Sequence, residues 1–90
     1  MKTLTFHVDG RVQHVWFRGW TIETARGLGL TGWVRNRPDG AVEGQAQGRP
    51  EVLERFRELL AQGPPMARVT EIRAELAEIT ERFLDFHVRR

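Results

Sequence analysis

The stretch Gly10-Arg11-Val12-Gln13-His14-Val15-Trp16-Phe17-Arg18 constrains this chain more than any other. An alternating apolar run, Leu4, Phe6, Val8, ends just before it, and a helix-like run begins just after it. The stretch therefore reads as a tight loop between a strand and a helix N-terminus. Such a loop points several backbone N–H groups into one small space, and the helix dipole adds positive potential there. Arg18 places a permanent, planar, five-donor cation beside them. The simplest ligand for this arrangement is a phosphate-like anion.

The chain in order supports a small mixed fold. Residues 2–12 read as a strand, with Leu4, Phe6 and Val8 on one face and Thr5, His7 and Asp9 on the other. Residues 18 to about 28 read as a helix with a narrow stripe of Thr21, Ala25 and Leu28, stopped by Gly27 and Gly29. Residues 30–37 and 41–47 read as two strands. Pro38-Asp39-Gly40 joins them, because Pro fixes φ and Gly tolerates φ > 0. A second helix opens at Pro50, carries the stripe Val52, Leu53, Phe56, Leu59 and Leu60, and stops at Gly63-Pro64-Pro65. A strand spans about Ala67 to Leu76, with a phase slip between Val69 and Ile72 that indicates a bulge. A last strand starts near Phe83, with Leu84, Phe86 and Val88 in phase. This rhythm predicts an α+β, ferredoxin-like split β-α-β sandwich, an antiparallel sheet with two helices on one face.

Ninety residues allow one domain, 1–90. With no cysteine and no serine, thiolate and Ser-nucleophile chemistry are excluded. No His or carboxylate pair has metal-ligand spacing, so no metal and no cofactor is expected. No leader-like or membrane-spanning apolar run is present, and a cytoplasmic location is expected. The net charge of +2 is too small to imply nucleic acid. A single-stranded RNA binder of this topology would need aromatics on its open sheet face. The first and third strands offer Thr5, His7, Asp9, Glu43, Gln45 and Gln47 instead, so no nucleic acid, no membrane and a monomer are expected. His7 and His87 receive no role, and Trp33 reads as packing, with flanking an acyl group as the alternative.

The loop, followed by Gly32-Trp33-Val34-Arg35-Asn36, the Pro-Asp-Gly turn and a Phe-x-Val-Arg ending at Phe86, Val88 and Arg89, resembles the acylphosphatase family. The family pattern is approximately GxVQGVxFR and then GWVRN, and the similarity covers nearly the whole chain. The resemblance implies the same fold and hydrolysis of acyl phosphates, the mixed anhydrides of carboxylic and phosphoric acids, as the activity. It implies that Gln13, His14, Val15, Trp16, Phe17 and Arg18 form the phosphate-binding loop. It further implies that Arg18 binds the substrate phosphate and that Asn36 orients the attacking water. From the residues alone, Arg18 could equally be a surface ion-pair member and Asn36 a turn former. Position 14 departs from the pattern, with His in place of Gly. Glycine there would permit φ > 0 or close approach of a ligand, so backbone distortion by His14 is expected. A non-catalytic anion-binding regulatory module of the same fold is the alternative function.

Overall fold

The computed structural model describes residues 1–89. Seven elements follow in order: β1 (Lys2–Arg11), α1 (Phe17–Gly27), β2 (Thr31–Asn36), β3 (Val42–Gly48), α2 (Pro50–Gln62), β4 (Arg68–Ala77) and β5 (Phe86–Val88). The sheet order is β4-β1-β3-β2-β5. β1 lies antiparallel between β3 and β4, β2 is antiparallel to β3, and β5 adds in parallel to β2. Each β-α-β unit is thus split by one intervening strand, as the sequence rhythm predicts.

Alternation explains the sheet. Leu4, Phe6 and Val8 of β1 face Ala46, Gly44 and Val42 of β3 in register, and all of these apolar side chains are buried. Gly44 matters sterically: a Cβ there would sit 2.5 Å from Cζ of Phe6, so glycine leaves the space that the ring fills. The phase slip in β4 is a bulge. Asp9 faces Glu71 but Gly10 faces Val69, so Thr70 has no opposite. The β2–β3 hairpin closes through Arg37 N–H to Ala41 O (2.8 Å) and Gly40 N–H to Arg37 O (3.2 Å), with Gly40 at φ 96°.

Both helices cover the apolar face. α1 buries Phe17, Thr21 and Ala25, and Thr21 returns its hydroxyl to the Phe17 carbonyl at 2.8 Å. α2 buries Leu53, Phe56 and Leu60, starts at Pro50, and ends at Gly63 with φ 68°. Phe56 is the centre of the core, meeting Phe6 edge-on at 5.6 Å and Phe86 at 6.1 Å between ring centroids.

The last strand is shorter than its apolar phase predicts. It begins at Phe86, not near Phe83, and Leu84 is 96% exposed. The preceding segment is drawn instead to polar partners on the opposite sheet face. Gln47 accepts from Phe83 N–H (3.0 Å) and donates to Glu81 O (2.6 Å) and Thr3 Oγ1 (3.1 Å). Gln47 is thereby buried on the face opposite the helices, with its amide satisfied.

Phe56→Ala should leave a cavity beneath both aromatic partners. The expected loss is roughly 3–5 kcal/mol of unfolding free energy, read from urea denaturation. A loss below about 1 kcal/mol would show that the core closes over the gap.

Candidate active site

The chain leaves β1 at Arg11 and must reach the buried Phe17 within five intervening residues, 12–16. It does so with two left-handed turns, His14 at φ 63° and Trp16 at φ 63°. Non-glycine residues in this region carry a steric cost and persist where the surroundings fix them. Four side chains do so here. Val12 and Phe17 are each about 1% exposed, and Val15 packs against the core. Gln13 donates both amide hydrogens outward, to Arg37 O (2.8 Å) and Ala41 O (2.9 Å), tying the loop to the β2–β3 turn.

The helix that follows begins without compensation. Trp16 stands at its N-cap with no side-chain cap, and its first turn holds no acidic residue. Among the described residues, no acceptor takes a hydrogen bond from the backbone N–H groups of residues 14–19. Orphan donors at a helix start, aligned with the helix dipole, favour an anion.

These groups border a pocket of about 420 Å³ lined by Val12, His14, Trp16, Phe17, Arg18, Gly19, Asn36 and Val88. Arg18 therefore lies at the pocket and, among the described residues, has no carboxylate or carbonyl partner, unlike Arg35, Arg37 and Arg73. Asn36 reaches the same pocket from the end of β2. Its Oδ1 is buried and accepts no hydrogen bond, the one such orphan side-chain atom among the described residues. A buried acceptor without a donor costs about 1–3 kcal/mol.

The other loop residues divide. His14 and Trp16 are exposed at the rim, while the side chains of Gln13 and Val15 point away from the pocket and hold the loop. The sequence offered no sign of Gln13's clamp, since its partners are carbonyls more than twenty residues away. Gly19 and Val88 also join the pocket lining. Gly19 was legible in principle, standing three residues after Trp16, where helical neighbours meet. At position 14 the backbone is not rerouted: His14 itself adopts the left-handed conformation that glycine would supply, and its ring joins the pocket lining. The departure from glycine therefore appears as local steric cost and an added ring, with the turn intact.

The hairpin that carries Asn36 is braced by charge. Arg37 bonds Glu43 (2.8 Å) and Asp39 (3.1 Å), and Arg35 holds the other oxygen of Glu43. Burial alone would raise the Glu43 carboxyl, but the hydrogen bonds from Arg37 and Arg35 outweigh it and hold it below the usual range. Asp39 is lowered chiefly by the Ala41 N–H and then by Arg37. Among the described residues, no group of three or more His, Asp or Glu is gathered as a metal ion would require.

A split β-α-β sandwich with a tight β1–α1 loop defines a class of small ferredoxin-like α+β proteins. The chain belongs to the acylphosphatase family, whose sequence model matches residues 4–88. It is 53% identical over 73 residues to an acylphosphatase of Rhodospirillum rubrum, covering 81% of this chain and 80% of the relative. It is 44% identical to an acylphosphatase of Methylococcus capsulatus across 100% of its own length and 98% of the relative's. Its fold superposes on the crystal structure of acylphosphatase from Bacillus subtilis with a TM-score of 0.96, at 37% identity and full coverage of both chains.

His14→Gly should raise kcat/KM, since it relieves the left-handed cost and removes the ring from the pocket. Kinetics of both proteins provide the check; a slower His14→Gly protein would mean that the imidazole assists the reaction.

Proposed function

We propose that the β1–α1 loop and Arg18 bind the phosphoryl group of an acyl phosphate, and that Asn36 aligns the water that attacks it. Family membership supports the reaction: hydrolysis of an acyl phosphate to a carboxylate and inorganic phosphate. The observation that carries the assignment of roles is the orphan Oδ1 of Asn36 beside the unpaired Arg18.

The chemistry follows from these groups. The phosphoryl transition state is loose, with charge spread over three equatorial oxygens. Free loop N–H groups and the Arg18 guanidinium are fixed donors for those oxygens, so little reorganisation is needed as charge develops. The leaving group is a carboxylate, stable without a proton, so no general acid is required. Asn36 is not a base, but its Oδ1 can accept one hydrogen of a water and fix that water's direction. The second proton passes to a phosphate oxygen of the substrate itself.

Arg18→Ala should lower kcat/KM for benzoyl phosphate about 10²–10³-fold, the scale of deleting one donor to a developing oxyanion. Circular dichroism checks that the variant is folded, and near-wild-type kcat/KM in a folded variant would remove Arg18 from the site.

Asn36→Ala should lower kcat while changing the competitive inhibition constant of inorganic phosphate little, because its partner is the water. The reverse pattern, weaker phosphate inhibition at unchanged kcat, would make Asn36 a phosphate ligand instead.

A further inference from the structure

The three tryptophans are placed differently. Trp20 packs against the core and against Phe17, with ring centroids 5.4 Å apart. Trp33 is 8% exposed, bonded through Nε1 to Gln45 and covered by the Arg89 guanidinium at 4.4 Å. Trp16 alone is open, 59% exposed, and it lines the pocket that holds Arg18 and Asn36. Most of the large apolar side chains that are exposed elsewhere, such as Met66 and Leu84, lie outside that pocket.

Two further observations show that the indole has a defined seat. Trp16 is held at φ 63° and ψ 23°, a conformation that bulky residues rarely take and that concentrates at functional sites. Its ring lies against Gly19: a Cβ at that position would come within 2.6 Å of Cδ1 and 2.8 Å of Cε2 and would overlap Nε1. Glycine at 19 is what lets the ring lie flat over the first turn of α1. The indole thus lines the same pocket as the apolar residues Val12 and Val88 and as Arg18 and Asn36.

We infer that the Trp16 indole is the platform for the acyl group, so that this enzyme favours acyl phosphates with a planar, apolar acyl portion over acetyl phosphate. The inference rests on the proposed phosphate site, because only a phosphoryl group held by the loop leaves its acyl group at this rim. An aromatic acyl group would lie against the indole in an offset or edge-on contact, and such pairs add favourable energy beyond the area they bury. Acetyl is too small to cover the ring. The platform discriminates by contact with the leaving portion and takes no part in proton transfer.

The test is the ratio of kcat/KM for benzoyl phosphate to that for acetyl phosphate. Comparing the ratio between variants cancels the different intrinsic reactivities of the two compounds. Trp16→Asn removes the ring at a residue type that tolerates the left-handed conformation, and the ratio should fall at least about threefold. Trp16→Phe keeps an aromatic face and should retain most of the ratio. Gly19→Ala keeps the Trp16 backbone but pushes the indole off its seat, and should lower the ratio in the same direction. This second variant decides the matter if Trp16→Asn does not fold. An unchanged ratio in a folded Trp16→Asn or Gly19→Ala protein overturns the platform. The inhibition constant of inorganic phosphate for Arg18→Ala is measured alongside. If it does not rise, the phosphate site itself is misplaced; if it rises while the Trp16 ratio stays flat, only the platform fails.

Discussion

The unpaired backbone donors of the β1–α1 loop are the constraint on which the rest of the structure depends. A polypeptide ordinarily satisfies its N–H groups, and a helix ordinarily begins with a capping side chain. Here the start of α1 has neither a cap nor an acidic neighbour, and the loop before it takes two left-handed residues. Left to itself, such a loop would relax, so its shape must be imposed from outside. Buried Val12 and Phe17 fix its two ends, and Gln13 anchors its middle to the carbonyls of the β2–β3 turn.

That anchor also couples the two halves of the candidate site. Arg37 and Ala41, whose carbonyls receive the Gln13 amide, flank the turn immediately after Asn36. The side chain of Arg37 in turn joins Glu43 and Asp39, which stiffens the hairpin. Loop and amide are therefore joined through one contiguous hydrogen-bond network. The sheet supplies the frame: β1 and β2 run parallel with β3 between them, so the C-terminal end of β1 and Asn36 at the end of β2 arrive on the same side. On the proposed reading, a bound oxyanion and a water complete the polar groups that have no internal partners there.

The contrast with the other arginines sharpens the electrostatics. Arg35, Arg37 and Arg73 have carboxylate partners, and Arg89 stacks on Trp33. A guanidinium kept away from internal carboxylates retains its positive field for a ligand. Several arginines of this chain thus serve ion pairs or stacking, whereas Arg18 lines the pocket.

Sequence alone carried the fold class, the order of elements, the loop and the Pro-Asp-Gly turn. Those properties are local: period-two alternation in β1 and β3, the apolar stripe of α2, and glycine and proline at the turns. Even the bulge at Thr70 was legible, because a slip in alternation is itself a local signal. The roles of Arg18 and Asn36 were implied only by the resemblance to acylphosphatases, because an Arg at a helix start and an Asn beside a turn also suit an ion pair and a turn. Tertiary structure decided what depends on distant partners. It turned Gln13 outward to a hairpin more than twenty residues away, and shortened the last strand because Gln47 holds the backbone at Glu81 and Phe83. It left Oδ1 of Asn36 without a donor and seated Trp16 on Gly19. No periodicity encodes these outcomes, since hydrogen-bond satisfaction and steric room are properties of the packed chain and exist only once the strands and helices have met.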